Sequence, residues 1–298
     1  MPKFHIPVML NEVINYLNLS PGKVALDATM GTGGHSKAML GRILPAGRLI
    51  GIDRDAESLA VSQERLREFS GSCDFIHGNF ADIDTILNGL SIKKVDAMLF
   101  DLGVSTFQLA NPHRGFSFQN EGPLDMRMDK DSYICAYDLI NNLNEQELST
   151  ILRNFGQERW HNRIAHLLVQ EREKQPISTT TQLANIVIRS IPGRFRQRHY
   201  RIHPATRTFQ AVRMAVNREL EILELALNKA IAALGKRGRI AVISFHSLED
   251  RVAKWTFRKA QSDGLINIIT PKPLIPKEEE IESNPSSRSS KLRVAERI

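Results

Sequence analysis

Three aspartates stand where apolar runs end: Asp27 after VAL, Asp53 after RLIGI and Asp101 after VDAMLF. Between the first two lie the glycines Gly31, Gly33 and Gly34, followed by His35. A short apolar run, a glycine turn, a helical register and a second run ending in an acid make half of a nucleotide-binding α/β unit. The acid Asp53 comes 26 positions after Asp27 (53 − 27), somewhat beyond the roughly 20 usual between such a fingerprint and its ribose-binding acid. A carboxylate there suits the vicinal hydroxyls of a ribose.

The ligand is constrained by what precedes the glycines. A pyrophosphate needs backbone donors at a helix N-terminus, and Asp27 ahead of the turn repels it. The same carboxylate accepts a hydrogen bond from an ammonium group. S-adenosylmethionine has an α-amino group and a sulfonium and no phosphate, so it is the better chemical match. A dinucleotide and a purely structural turn stay open at this point, since glycine turns also serve close packing. Phe80, after the run Cys73 to His77, either covers an adenine or packs in the core, and His35 either meets the carboxylate end of the cofactor or completes the turn.

The reacting partner is read from what surrounds Asp101. Carbon methylation of a pyrimidine calls for a thiolate nucleophile, and neither Cys73 nor Cys135 follows a strand-end motif near Asp101. An exocyclic amine needs an acceptor for its protons, which Asp101 and nearby carbonyls supply. His246 and Asp250, just after the run GRIAVISF, are assigned to the acceptor side, with local helix capping as the alternative. G-x-S-x-G is absent, which argues against a serine hydrolase, and no HExxH or paired-histidine set suggests a metal; none is expected.

The elements that must position these groups follow from periodicity. Strands are expected over Val24 to Ala28, Arg48 to Ile52, Cys73 to His77, Val95 to Phe100 and Gly238 to Phe245, with an edge strand over Ile266 to Thr270. Helices are expected over Met9 to Leu17, Ala56 to Phe69 and Ile83 to Leu90. RGFSF and EGPLDMRMD have neither period and read as a long ordered loop. Beyond them come helices at Glu147 onward, capped by Asn144 with Glu147, at Trp160 to Glu173, and at Thr181 to Ile191 with Thr180 as a cap. Arg207 to Leu234 reads as one long amphipathic helix, and the serine-rich end as an extended or partly mobile tail. The fold class is therefore α/β, a mostly parallel Rossmann-like sheet with an inserted all-helical domain. Its boundaries are 1–107, 108–205 for the insertion, and 206–298.

The 298 residues suffice for a substantial core, and 42% hydrophobic with 24% charged residues is ordinary for a globular chain. No apolar run reaches a membrane span and the first residues lack a secretory signal, so a cytoplasmic location without membrane attachment is expected. Two cysteines are too few for a disulfide framework. The net charge is +7, and part of the excess is concentrated: Arg194, Arg196, Arg198, Arg201 and Arg207 occur without an acid and interleaved with Phe195, His199, Tyr200 and His203. Guanidiniums beside rings suit a nucleic acid; a solvated linker is the competing reading.

GTGGHS, DLGVSTFQL, RGFSF, GPLDMRMD, HPATRTFQAVRMAVN and ISFHSLEDRVAK occur in this order along the whole chain. Together they resemble the bacterial 16S ribosomal RNA cytidine N4-methyltransferase family. The resemblance implies a class I methyltransferase domain with a helical insertion, S-adenosylmethionine as cofactor, and the exocyclic N4 of one cytidine in 16S rRNA of the small ribosomal subunit as acceptor; a monomer and a homodimer both stay open. It implies cofactor contacts at Gly33, Gly34, His35, Asp53, Phe80, Asp101 and Gln108; Gly31 and Asp27 are added from the turn and from charge. Where the family ends in an NPRARSAKLR-like run, this chain has NPSSRSSKLR. A serine thus replaces one arginine at Ser286, while Arg288, Lys291 and Arg293 remain as expected RNA contacts. Without the resemblance, a protein or small-molecule methyltransferase and a non-catalytic RNA-binding assembly factor would both fit the same residues.

Overall fold

The structure, a computed structural model, describes residues 6–193 and 203–298. It divides into two compact units, one of Met1–Gly103 with Leu220–Ile298 and one of Val104–Glu219. The first is built on a sheet of β1 (Val24–Asp27), β2 (Arg48–Asp53), β3 (Cys73–His77), β4 (Val95–Asp101), β5 (Leu234–Ser244), β6 (Ile266–Ile268) and β7 (Lys291–Arg297) in the order β3-β2-β1-β4-β5-β7-β6. All neighbours from β3 to β5 are parallel, and β7 is antiparallel to both β5 and β6. This is the α/β class expected from the sequence.

The strands are apolar almost throughout because both faces of the sheet are covered. Period-two alternation sends Leu26, Ile50, Met98, Phe100 and Val242 to one face, with Leu227, Ile231 and Phe257. Ala25, Leu49, Ala97, Leu99 and Ile243 go to the other, with Val13, Met39 and Leu40. The chain order reverses between β1 and β4, and register places Asp27 beside Gly51 and Leu99. Ligand crevices of open α/β sheets form outside the strand carboxyl ends at such a reversal. Asp27, Asp53 and Asp101 are each the last residue of their strand there.

The ending is not an extended tail. Glu278–Ser283 is a helix, a 3-10 turn follows, and β7 inserts between β5 and β6 with Leu292, Val294 and Ala295 fully buried. Serines and charges hid a strand whose buried apolar residues are Leu292, Val294 and Ala295.

The second unit is helical, with Ala136–Asn142, Glu145–Gly156, His161–Lys174, Thr180–Ser190 and Thr206–Val216 around a core that includes Leu152, Ile164, Leu168, Leu183 and Val187. The Asn144–Glu147 capping box is present, each side chain bonding the other's backbone N–H at 2.9 Å. The helix Thr180–Ser190 is capped one residue earlier than expected, by Thr179.

The long helix expected over Arg207 to Leu234 is two helices, Thr206–Val216 and Glu219–Ala233, parted where Arg218 takes a φ of 49°. The first packs Phe209, Ala211 and Val212 into the helical core. The helical unit therefore extends past 205 to Glu219, because an amphipathic stripe follows the core it fills rather than the running register. Asn217 explains the break. Its amide donates to the Met126 carbonyl at 2.8 Å and accepts from Met128 N at 2.8 Å. Those bonds hold the periodless loop, inside which Arg114, 1% exposed, donates to the carbonyls of Arg127 and Met128 at 3.0 and 2.9 Å.

Candidate functional site

The glycine turn is fixed by the acids on either side of it. Asp27, 1% exposed, accepts from Thr29 N at 3.2 Å and from the Ser36 hydroxyl at 2.7 Å. Burial pushes its carboxyl above the usual range, against those two bonds and the charge of His35. Each oxygen of the carboxylate expected to accept from an ammonium thus already holds one bond within the loop and keeps a second lone pair. Ser36, one turn into the helix Gly34–Ile43, is the partner that spacing alone did not reveal.

Asp53 accepts from Gly31 N at 2.6 Å and from Asp55 N at 2.8 Å. Although part of the residue meets solvent, burial of the carboxyl raises its pKa to about 6. Gly33 caps the helix with a φ of 78°, and a Cβ there would stand 3.1 Å from Leu66 Cδ1. Only glycine enters that left-handed region freely.

His35, 6% exposed, bonds the Val8 carbonyl through Nε2 at 2.9 Å, and its Nδ1 lies 3.4 Å from Asp101 Oδ2. A carbonyl only accepts, so Nε2 carries a proton; Nδ1 facing a carboxylate calls for another. Burial opposes that charge, yet the hydrogen bond and charge of Asp101, together with Asp27, hold the histidine pKa above its ordinary value. Asp101 is further fixed by its own N–H, which donates to the Thr29 hydroxyl at 2.6 Å. Its other oxygen, Oδ1, is buried with no hydrogen-bond partner among the described residues. A buried carboxylate oxygen lacking a donor is costly, and a ligand ammonium or amine is the kind of group that satisfies it.

Phe80 packs edge-on against Phe100, centroids 5.7 Å apart, and stays half-buried at the end of β3. It is both part of the core and open on one side. Gln108 lies in the other unit, where its side chain accepts from Ser105 N and its N–H bonds the Ser105 hydroxyl, each at 3.1 Å. Ser-x-x-Gln is a capping box, a signal the sequence displayed.

The residues assigned to the acceptor side, His246 and Asp250, stand at the start of the helix Ser247–Ser262. His246 is the N-cap of the helix Ser247–Ser262: its Nδ1 accepts from Glu249 N at 3.3 Å, while the Glu249 carboxylate accepts from Phe245 N at 2.8 Å. Capping thus occupies Nδ1, while Nε2 lies 3.2 Å from Glu249 Oε1. Asp250 pairs with Arg293 at 2.7 Å and Lys291 at 3.5 Å. Burial raises its pKa, but the two cations outweigh it and hold the carboxyl low. Asp250, Arg293 and Lys291 therefore join helix to β7, and Arg293 is only 8% exposed along its side chain. Of the expected RNA contacts, Arg293 is thus buried in this pairing, whereas the Lys291 side chain stays 37% exposed. Arg207 and Arg288 are exposed, whereas Arg194, Arg196, Arg198 and Arg201 lie outside the described residues.

S-adenosylmethionine fits this donor and acceptor set. The Asp53 carboxylate closes β2 beside the turn, Gly31, Gly33 and Gly34 leave their stretch of backbone uncovered by side chains of their own, and one Asp101 oxygen is without a donor among the described residues. Among the described residues no helix is long and apolar enough to cross a membrane.

Comparison with known proteins agrees over the full length. The model of the MraW methylase family matches residues 2–298. A ribosomal RNA small subunit methyltransferase H from Persephonella marina is 49% identical over 294 residues, 99% of each chain. One from Sulfurihydrogenibium sp. is 48% identical over 99% of each chain, and one from Halothermothrix orenii 45% identical over 99% of this chain and 98% of its own. Among solved structures, one described as a putative rRNA-methylase from Clostridium thermocellum aligns over 99% of this chain and 100% of its own at 12% identity, with a TM-score of 0.48.

Proposed function

The chain belongs to the MraW methylase family, and from that premise we propose that Asp101, with Asp53, Phe80 and the Gly31 to Gly34 turn, is the centre at which its reaction occurs. The protein is an S-adenosylmethionine-dependent methyltransferase that modifies the exocyclic N4 of a cytidine in 16S rRNA. The observation that carries the site is the Asp101 carboxylate, held by His35 on one oxygen and unpartnered on the other.

The sulfonium of S-adenosylmethionine supplies an activated methyl group. The protein's task is alignment and an environment for the leaving proton. Asp53 takes the ribose hydroxyls, Phe80 flanks the adenine, and Asp101 receives a hydrogen bond from the amine. The helical unit, read as an insertion in the methyltransferase domain, and the arginines from Arg194 to Arg207 hold the RNA. We place the reaction in the cytoplasm, on the small subunit, with the protein as a monomer or homodimer. Transfer of labelled methyl to assembled small subunits, free 16S rRNA and bulk protein, followed by nucleoside mass analysis, tests the reading. N4-methylcytidine is expected; label only in protein would overturn it.

A second expectation concerns pH. Asp53 must be ionised to accept well from ribose, and its pKa is raised to about 6 by burial. Cofactor affinity therefore falls as pH drops through about 6. Asp53→Asn should bind about ten-fold more weakly with a flat profile between pH 5 and 8, by calorimetry. A wild-type profile that is also flat would remove Asp53 from the ribose.

The N-terminal segment offers a third. Pro7 leaves no room for a side chain at Gly34, where a Cβ would lie 2.7 Å from Pro7 Cγ. On its other side, Met9 N donates to Glu280 Oε1 at 2.6 Å and the Asn284 amide to the Ile6 carbonyl at 3.0 Å. The chain ending thus grips the segment whose Val8 carbonyl orients His35. Glu280→Ala with Asn284→Ala should weaken cofactor binding several-fold without touching the crevice. Unchanged affinity, with folding intact by circular dichroism, would show the grip to be local.

A further inference from the structure

The helix Ser247–Ser262 carries a face that neither the cofactor site nor the core uses. From Arg251 to Ser262 its charges are Arg251, Lys254, Arg258 and Lys259, with no acid. Its packing is done by Ala253, Thr256, Phe257 and Ala260, all buried, and its two acids, Glu249 and Asp250, are turned inward in the first turn. Trp255 is not part of that packing: it is 57% exposed. Arg251, Trp255 and Arg258 follow one another at i, i+4 and i+7, a single stripe along the helix, with Lys254 beside it. The Arg258 guanidinium lies 5.1 Å from the Trp255 ring centroid and the Lys254 ammonium 5.4 Å.

A large ring left in water, flanked by cations and free of acids, matches a nucleic acid in two ways. Ring faces stack on unpaired bases with little regard to sequence, and the flanking cations neutralise adjacent phosphates. A protein partner would need acids opposite this face and would leave the ring's flat shape unexplained.

We propose that the Arg251, Lys254, Trp255 and Arg258 face is a second rRNA-binding surface, which stacks an unpaired base on Trp255 and holds the neighbouring phosphates. It rests on the reading of the protein as an rRNA methyltransferase. It places a substrate contact on the methyltransferase unit.

The test measures binding of the full-length protein to 16S rRNA and to assembled small subunits, alongside methyl transfer. Trp255→Ala should weaken binding to at least one of the two about ten-fold, and Trp255→Phe should recover most of it. Lys254→Gln with Arg258→Gln should lower the slope of log affinity against log salt by about one to two. Melting temperature and S-adenosylmethionine affinity should stay at wild-type values, because these side chains lie outside the core. Wild-type affinity in Trp255→Ala for both RNAs overturns the proposal, whether or not methyl is transferred. So does unchanged RNA affinity with a shift in sedimentation, which would mark the face as a contact between two copies. Wild-type protein that binds RNA through Trp255 but methylates none would leave this surface standing and sink the enzymatic reading instead.

Discussion

Asp101→Asn should lower the rate of methyl transfer by about 100- to 1,000-fold at saturating cofactor, the range for losing one preorganised electrostatic partner at a reacting centre. The substitution keeps shape and removes charge. In the native protein Oδ2 faces the His35 ring at 3.4 Å and the backbone N–H is tied to Thr29, so the carboxylate cannot swing aside, and Oδ1 has no partner. A carboxylate so placed is preorganised: no dipole has to reorient when an amine develops positive charge during methylation. The amide of asparagine would present a donor to the amine or to the imidazolium, and either is repulsive. Cofactor affinity should also fall, by about ten-fold or more, since a hydrogen bond to an ionised group is worth roughly 1.5–3 kcal/mol. Single-turnover rates with the cofactor in excess separate the two effects. A wild-type rate at saturation would confine Asp101 to binding, and no change in rate or affinity would remove it from the site.

The parts of this protein set by a short repeat were legible in its sequence. Parallel strands read as apolar runs because both faces are buried, and an acid ending three of them marked the crevice edge before any coordinate. The Asn144 box was visible because a cap and its partner lie three residues apart, and the boxes at Ser105 with Gln108 and His246 with Glu249 carried the same signal. His246 was open to two readings, a chemical role and a cap; its Nδ1 completes a helix start, which accounts for one of its two ring nitrogens.

Long-range pairings had no such trace. Nothing near Asp250 announces Arg293, 43 residues on, and nothing near Met9 announces Glu280. The ending was misread for the same reason: β7 is defined by the strands that flank it, and its own residues alternate too little to show it. Arg114 and Asn217 show no role in the sequence. They prove to tie a loop whose lack of period is now explained, because side chains rather than a ladder satisfy its carbonyls.

His35 is where pairing and chemistry meet, and its replacement should be the most pH-sensitive change in the protein. The ring sits between the Val8 carbonyl and Asp101. Burial works against its charge, but Asp101 and Asp27 outweigh burial and raise its pKa. A histidine whose pKa is raised on folding contributes stability that is full below its unfolded value, about 6.5, and that is lost as pH rises through the folded value. His35→Gln keeps a donor for Val8 and removes the charge, which leaves Asp101 and Asp27 without their cation. Breaking a buried pair from one side costs about 3–5 kcal/mol, so the variant should melt well below wild type at pH 6. The gap should narrow on the alkaline side of the histidine's folded pKa, where the wild-type ring also loses its charge. Melting curves from pH 6 to 10 measure this. A gap that stays constant over the whole range would mean that the ring is neutral throughout and orients Asp101 by shape alone; the Asp101→Asn deficit would then owe nothing to a lost ion pair.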